Sequence, residues 1–178
     1  MSSFNSEIFS HYYWLDTAER LKFSANVLFD KLSELYDQKN EQENGFVRRK
    51  QQLAVFQSYM MLLGFSLENL IKAVSIKSYL TQNSSIIDFK NLNNDVWQVR
   101  NGHDLLTIAE NCNFILTTDE KDLIERHTEF LVWAGRYHIP KEKSKYDEAF
   151  GEQKLRRKKG DHILVESVFL KAKQFLGN

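Results

Sequence analysis

The chain of 178 residues carries 24 Lys and Arg against 24 Asp and Glu, and 42% of it is hydrophobic, with 13 Phe, 7 Tyr and 3 Trp. Such a length suits one domain spanning 1–178 around one core. The composition excludes disorder throughout, and the balanced charge means that a nucleic acid, a membrane or an acidic substrate must be met by a local patch.

The lone Cys112 excludes an intramolecular disulfide framework and a Cys-rich zinc module, and it suits a reducing compartment, the cytoplasm by default. The opening MSSFNSEIFSHYYW lacks a basic region followed by an apolar stretch, so no targeting signal is expected there. One Pro and seven Gly are too few for the turns of an all-β chain, and an all-α fold is expected.

The first helix is predicted from about residue 6 to 37, because Trp14, Ala18, Leu21, Ala25, Leu28, Leu32 and Leu35 recur at alternating steps of four and three. Leu53, Phe56, Met60, Leu63, Leu67, Leu70 and Val74 give a second helix, about 47 to 80, packed antiparallel to the first across a polar turn at Asp37 to Gly45. Apolar residues lie all round this second helix, which marks it as central. Gln57, Ser58, Glu68, Asn69 and Lys72 interrupt its apolar window, so no membrane span is expected.

A Ser- and Asn-rich connection follows, with an apolar plug at Ile86, Ile87 and Phe89. A short helix is expected over His103 to Cys112, capped by Asp104 or Asn101. Thr117 and Glu120 have the spacing of a capping box, which predicts a helix from Thr117 to Trp133 or Ala134. The charged segment from about 138 to 160, with Pro140 and KLRRKKG, reads as an exposed, mobile loop. A last helix starts at Asp161 and closes an antiparallel bundle of four to five helices.

Four features can carry chemistry. Glu68 and Lys72 are the only charges between Lys50 and Lys77 and are spaced i, i+4, so they form either a structural ion pair or the floor of a ligand groove. His103 follows Gly102 at a helix start, where the dipole favours a neutral imidazole able to act as a base; its plainer role is to orient the junction. Arg136, between Trp133 and Tyr137, can be held by aromatic faces and by a carboxylate such as Glu68, and it suits either a phosphate or the fastening of a loop. Lys154, Arg156, Arg157, Lys158 and Lys159 form the one dense basic run, a nucleic-acid patch or a solvated turn. Together, Glu68, Lys72, His103, Asp104, Trp133, Arg136 and Tyr137 are expected to share one groove. Neither a metal-ligand pattern nor a cofactor-binding loop occurs, and Cys112 reads as a packed thiol.

The long first helix with Trp14, the run YMMLLGFSLENLIKAV, the GHDLL junction and the T-x-x-E helix ending in WAGRY resemble bacterial HEPN-like helical proteins over residues 10 to 140. The resemblance implies an antiparallel bundle that forms a homodimer and acts in a toxin–antitoxin or defence setting, binding RNA, a nucleotide-like ligand or a protein partner such as a nucleotidyltransferase. Catalytic HEPN ribonucleases carry R-x(4–6)-H. Here Arg157 and His162 match R-x4-H and Arg156 with His162 matches R-x5-H, inside the basic run. A metal-independent ribonuclease is therefore one alternative, and a purely structural subunit of an assembly is another.

Overall fold

The computed structural model describes residues 7–37, 45–82, 89–97, 102–137 and 140–177. Among them the chain is all helical, and no strand occurs. Helix α1, His11–Asp37, and helix α2, Gly45–Gln82, form the long hairpin that the two apolar stripes predict. Arg48 and Gln52 donate to the Leu35 carbonyl at one end, and the Ser66 hydroxyl donates to the Ala18 carbonyl at the other, which fixes the antiparallel register. Ala18 and Ala25, fully buried on the α1 stripe, let the two backbones approach closely.

From Tyr59 to Tyr79 α2 is buried on nearly every side and forms the axis of the core. Among the described residues α2 alone is long and apolar enough to cross a membrane, and 78% of its most apolar window is buried, as in a core helix. Its first three turns differ from the stripe prediction. Leu53 is 53% exposed there, and Phe46 and Val47 are exposed too.

Three shorter helices follow: α3, Phe89–Asp95; α4, Leu105–Asn111; and α5, Thr118–Glu129. Ile86 and Ile87 of the expected plug, and Asn101, lie outside the described residues, whereas Phe89 opens α3 and sets its ring edge-on to Trp97. Asp104 caps α4, accepting from the Thr107 amide at 3.1 Å. The capping box of α5 is complete, with Thr117 and Glu120 each accepting from the other's backbone amide.

The predicted helix end at Ala134 is reached by a different geometry. Phe130–Ala134 form a π-helical turn, in which the Gly135 amide donates to the Phe130 carbonyl. A Cβ at position 135 would lie 2.7 Å from that carbonyl oxygen and 3.0 Å from the Met61 Cβ, so only glycine fits.

The charged segment expected to be an exposed loop is, in its described part, mostly exposed, but a stretch of it is helical and several of its charges are ion-paired. It contains helix α6, Lys143–Gly151, and a basic turn that leads into helix α7, Asp161–Leu176. Helix α7 packs Val165, Val168, Phe169, Ala172 and Leu176 into the core.

Candidate functional site

The first site residues to meet are those on the most buried part of α2. Glu68 and Lys72 stand one turn apart, and the Lys72 Nζ lies 2.5 Å from Glu68 Oε1. The ammonium also lies 5.1 Å from the Trp97 ring centre and 5.7 Å from that of Trp14, so two aromatic faces stand in for water around it. The other carboxylate oxygen is 3.3 Å from the Nδ1 of His103. That contact is not aligned as a hydrogen bond, and both atoms are buried without another partner.

Gly102, at φ +81°, makes the turn that carries His103 over this pair, and a Cβ there would sit 3.5 Å from the Lys72 Nζ. Asp104 is the cap of α4 and turns its carboxylate to that helix. The arrangement is an acid held between a base and an imidazole under the α3–α4 junction. It locks the junction to α2.

Trp133, Arg136 and Tyr137 belong elsewhere. With Val132, Pro140, Lys141, Glu142 and Lys145 they line a cleft of about 480 Å³, in which neither Glu68, Lys72, His103 nor Asp104 takes part. The expectation of one shared groove is thus corrected to two clusters. Arg136 is not held by Glu68: its Nη2 donates to the Leu131 and Val132 carbonyls at 2.8 and 3.1 Å. A helix end leaves carbonyls without intrahelical donors, and an arginine two residues past the turn reaches them. The guanidinium sits 5.7 Å from the Tyr137 ring centre. The Trp133 indole donates to Glu129 and is buried as part of the wall. Arg136, Lys141 and Lys145 give this cleft three cations, with Glu142, 3.7 Å from Lys145, as its one acid.

The basic run is in part tied to the fold. Lys154 is buried, and its Nζ lies 2.8 Å from Glu125, 2.7 Å from Glu148 and 3.0 Å from Glu152. Burial alone would lower its pKa, but the bonds to the three carboxylates outweigh this and raise it. Lys158 pairs with Asp122 at 2.8 Å. Arg157 lays its guanidinium on the Phe29 ring, 4.2 Å from the centre. Only Arg156 and Lys159 of the run are exposed.

The R-x4-H pair is likewise separated in role. Arg157 faces inward against Phe29, and His162 stands exposed on the first turn of α7.

What holds the run in place escaped the sequence reading. Arg126, 1% exposed, makes a two-pronged contact with the buried Asp161 at 2.9 and 2.7 Å. It also donates to Asp122 and to the Arg156 carbonyl. Asp161 in turn accepts the Lys158 amide. Beside Arg126, His127 is fully buried and its Nδ1 lies 3.2 Å from the Met60 carbonyl. Burial holds its pKa down to about 4, so the ring is neutral and Nδ1 is the donor. The i, i+4 spacing of Asp122 and Arg126 was the available signal; the long-range partner Asp161 had none. Cys112 is a packed thiol, pushed up to about 12 by burial, which makes it a poor nucleophile.

No protein-family model, no curated protein and no solved structure matches the chain. Fold and site together define an all-α protein with a buried acid–base cluster on its central helix and a separate cationic cleft.

Proposed function

We propose that the chain is an HEPN-like antiparallel bundle that acts as a homodimeric binding module and takes a nucleotide-like anion in the cleft between the π-helical turn and α6. One observation carries the ligand reading: three cations and an exposed aromatic ring converge on one cavity of about 480 Å³. Arg136 spends one terminal nitrogen on its own helix end, which fixes the fork and leaves its other donors for a phosphate. Tyr137, 58% exposed, offers a face for a base. A toxin–antitoxin or defence setting, with a nucleotidyltransferase as partner, belongs to the same proposal and rests on the resemblance alone.

The dimer reading is supported by two apolar stripes on neighbouring helices. Phe23 and Val27 on α1, and Ile163 and Leu170 on α7, are each more than half exposed. Lys22–Glu166 and Lys173–Glu19 tie the two helices together beside them.

Calorimetric titration with ATP tests the ligand. Wild type is expected to bind, and Arg136→Gln and Tyr137→Ala to bind about tenfold more weakly, the loss of one charge-assisted bond or one stacked face, with melting temperatures retained. Absence of ATP binding to the wild type overturns the ligand reading.

A further inference from the structure

Helix α6 is held to the fold at one end and lines the cleft at the other. Its one buried side chain is Ala149, and Tyr146 and Phe150 stack on each other at the surface. Near its C-terminus stands the Lys154 ammonium, bonded at once to Glu125 on α5, Glu148 on α6 and Glu152 at the α6 cap. The three carboxylates lie within 4.8 Å of one another, and the Lys154 ammonium among them offsets their mutual repulsion. Near its N-terminus Lys141 and Lys145 line the same cavity as Arg136. These like charges resist closer approach until an anion lies among them, and the resistance is screened over about 8 Å at physiological salt.

We infer that α6 is a hinged cover: it pivots about the Lys154 knot, and its N-terminal end closes on the anion that Arg136 holds. The inference rests on the anion reading of the cleft and adds a moving part to it. The ligand chemistry it requires is a polyphosphate, which a nucleotide or free inorganic triphosphate supplies.

Hydrogen exchange of the full chain, with and without ATP or inorganic triphosphate, tests it. In the wild type either ligand is expected to slow α6 amides about tenfold, and α6 without ligand to exchange faster than α2 and α5. Slowing by ATP alone assigns closure to the nucleotide, and slowing by both assigns it to the phosphates. Lys154→Met frees the pivot: α6 exchanges faster without ligand and is no longer slowed by it, while α2 keeps its protection. Should that variant lose its fold, the double variant Lys141→Gln with Lys145→Gln decides, read at triphosphate concentrations that calorimetry shows to saturate it. It leaves the knot intact, and α6 is expected to exchange as in wild type without ligand and not to be slowed by the bound ligand, whereas full slowing at saturation overturns the cover. Binding of ATP with α6 exchange unchanged in the wild type overturns the cover and leaves the cleft standing. No binding of either ligand overturns the cleft reading, and the cover with it.

Discussion

His127 makes the stability of this protein depend on pH in a window where carboxylates contribute little. Its ring is fully buried, and its folded pKa is about 4 against 6.5 when solvated. Between those values the unfolded chain binds the proton and the folded chain does not, so stability is full above 6.5 and falls as the pH drops toward 4. Each pH unit of the gap is worth about 1.4 kcal/mol. The loss is about 2 kcal/mol by roughly pH 5 and about 3 kcal/mol by roughly pH 4. For a domain of this size, the first of these corresponds to a fall of about 4–8 °C in Tm.

The assay is the urea midpoint at fixed m between neutral pH and pH 5. Glu120 and Asp122 also have lowered pKa values: burial pulls both upward, but Lys171, the Thr117 amide and Ser167 outweigh it at Glu120, and Lys158 with Arg126 at Asp122. Their contributions are present above the ordinary carboxylate range and are lost below it, beneath the histidine window. His11 is lowered as well, by burial and by Lys77, and it slopes the same way. Wild type, His11→Asn, His127→Asn and the double variant therefore separate the terms. His127→Asn is expected to flatten most of the slope. If the slope survives in His127→Asn, or if the His127 ring titrates near its solvated value by NMR, the account of this core is wrong.

Three further perturbations follow from the geometry. Asp161→Asn leaves the buried Arg126 guanidinium with only the half-exposed Asp122 as a charged partner and is expected to cost about 3 kcal/mol in chemical denaturation, whereas Arg126→Met with Asp161→Leu should recover much of that. Strict additivity of Arg126→Met and Asp161→Leu in that double variant contradicts the pairing. Gly135→Ala drives a Cβ against the Phe130 carbonyl oxygen and is expected to lose about 1–3 kcal/mol, read as a lower melting temperature. An unchanged melting temperature means that the π-helical turn is not fixed as described. Glu68→Gln removes the charge between Lys72 and His103 and is expected to destabilise by about 3 kcal/mol or more while leaving ATP affinity at the Arg136 cleft unaltered. A matching loss of affinity shows that the two clusters act as one.

The helical framework was legible because one physical signal dominates it. The step pattern of Ala18, Ala25, Leu32 and Leu35, and that of Met60, Leu63, Leu67, Leu70 and Val74, is the pattern of their burial. The caps at Asp104 and Thr117 were legible for a similar reason, since a side chain three residues from its amide partner is local chemistry. The π-helical turn was not, because nothing in FLVWA differs in propensity from an α-helix, and the deciding constraint is the approach of Gly135 to Met61 from another helix.

The charged residues show where pattern stops and packing begins. Glu68 with Lys72 was visible as two charges on an apolar helix, and His103 as a ring after a glycine, yet their meeting depends on α4 lying against α2. KLRRKKG reads as a cationic surface in one dimension. In three dimensions Glu125 and Asp122 arrive from α5, Glu148 and Glu152 from α6 and its cap, and Phe29 from α1, so Lys154, Arg157 and Lys158 become fasteners while Arg156 and Lys159 stay exposed. Arg136, Lys141 and Lys145 are scattered in sequence and unremarkable one by one, but the turn after Ala134 gathers them on one cavity with a single acid among them. Local charge density therefore points to a part of this protein where Lys154 and Lys158 are already paired with acids, whereas the cations of the cleft are sparse in sequence and meet only through the fold.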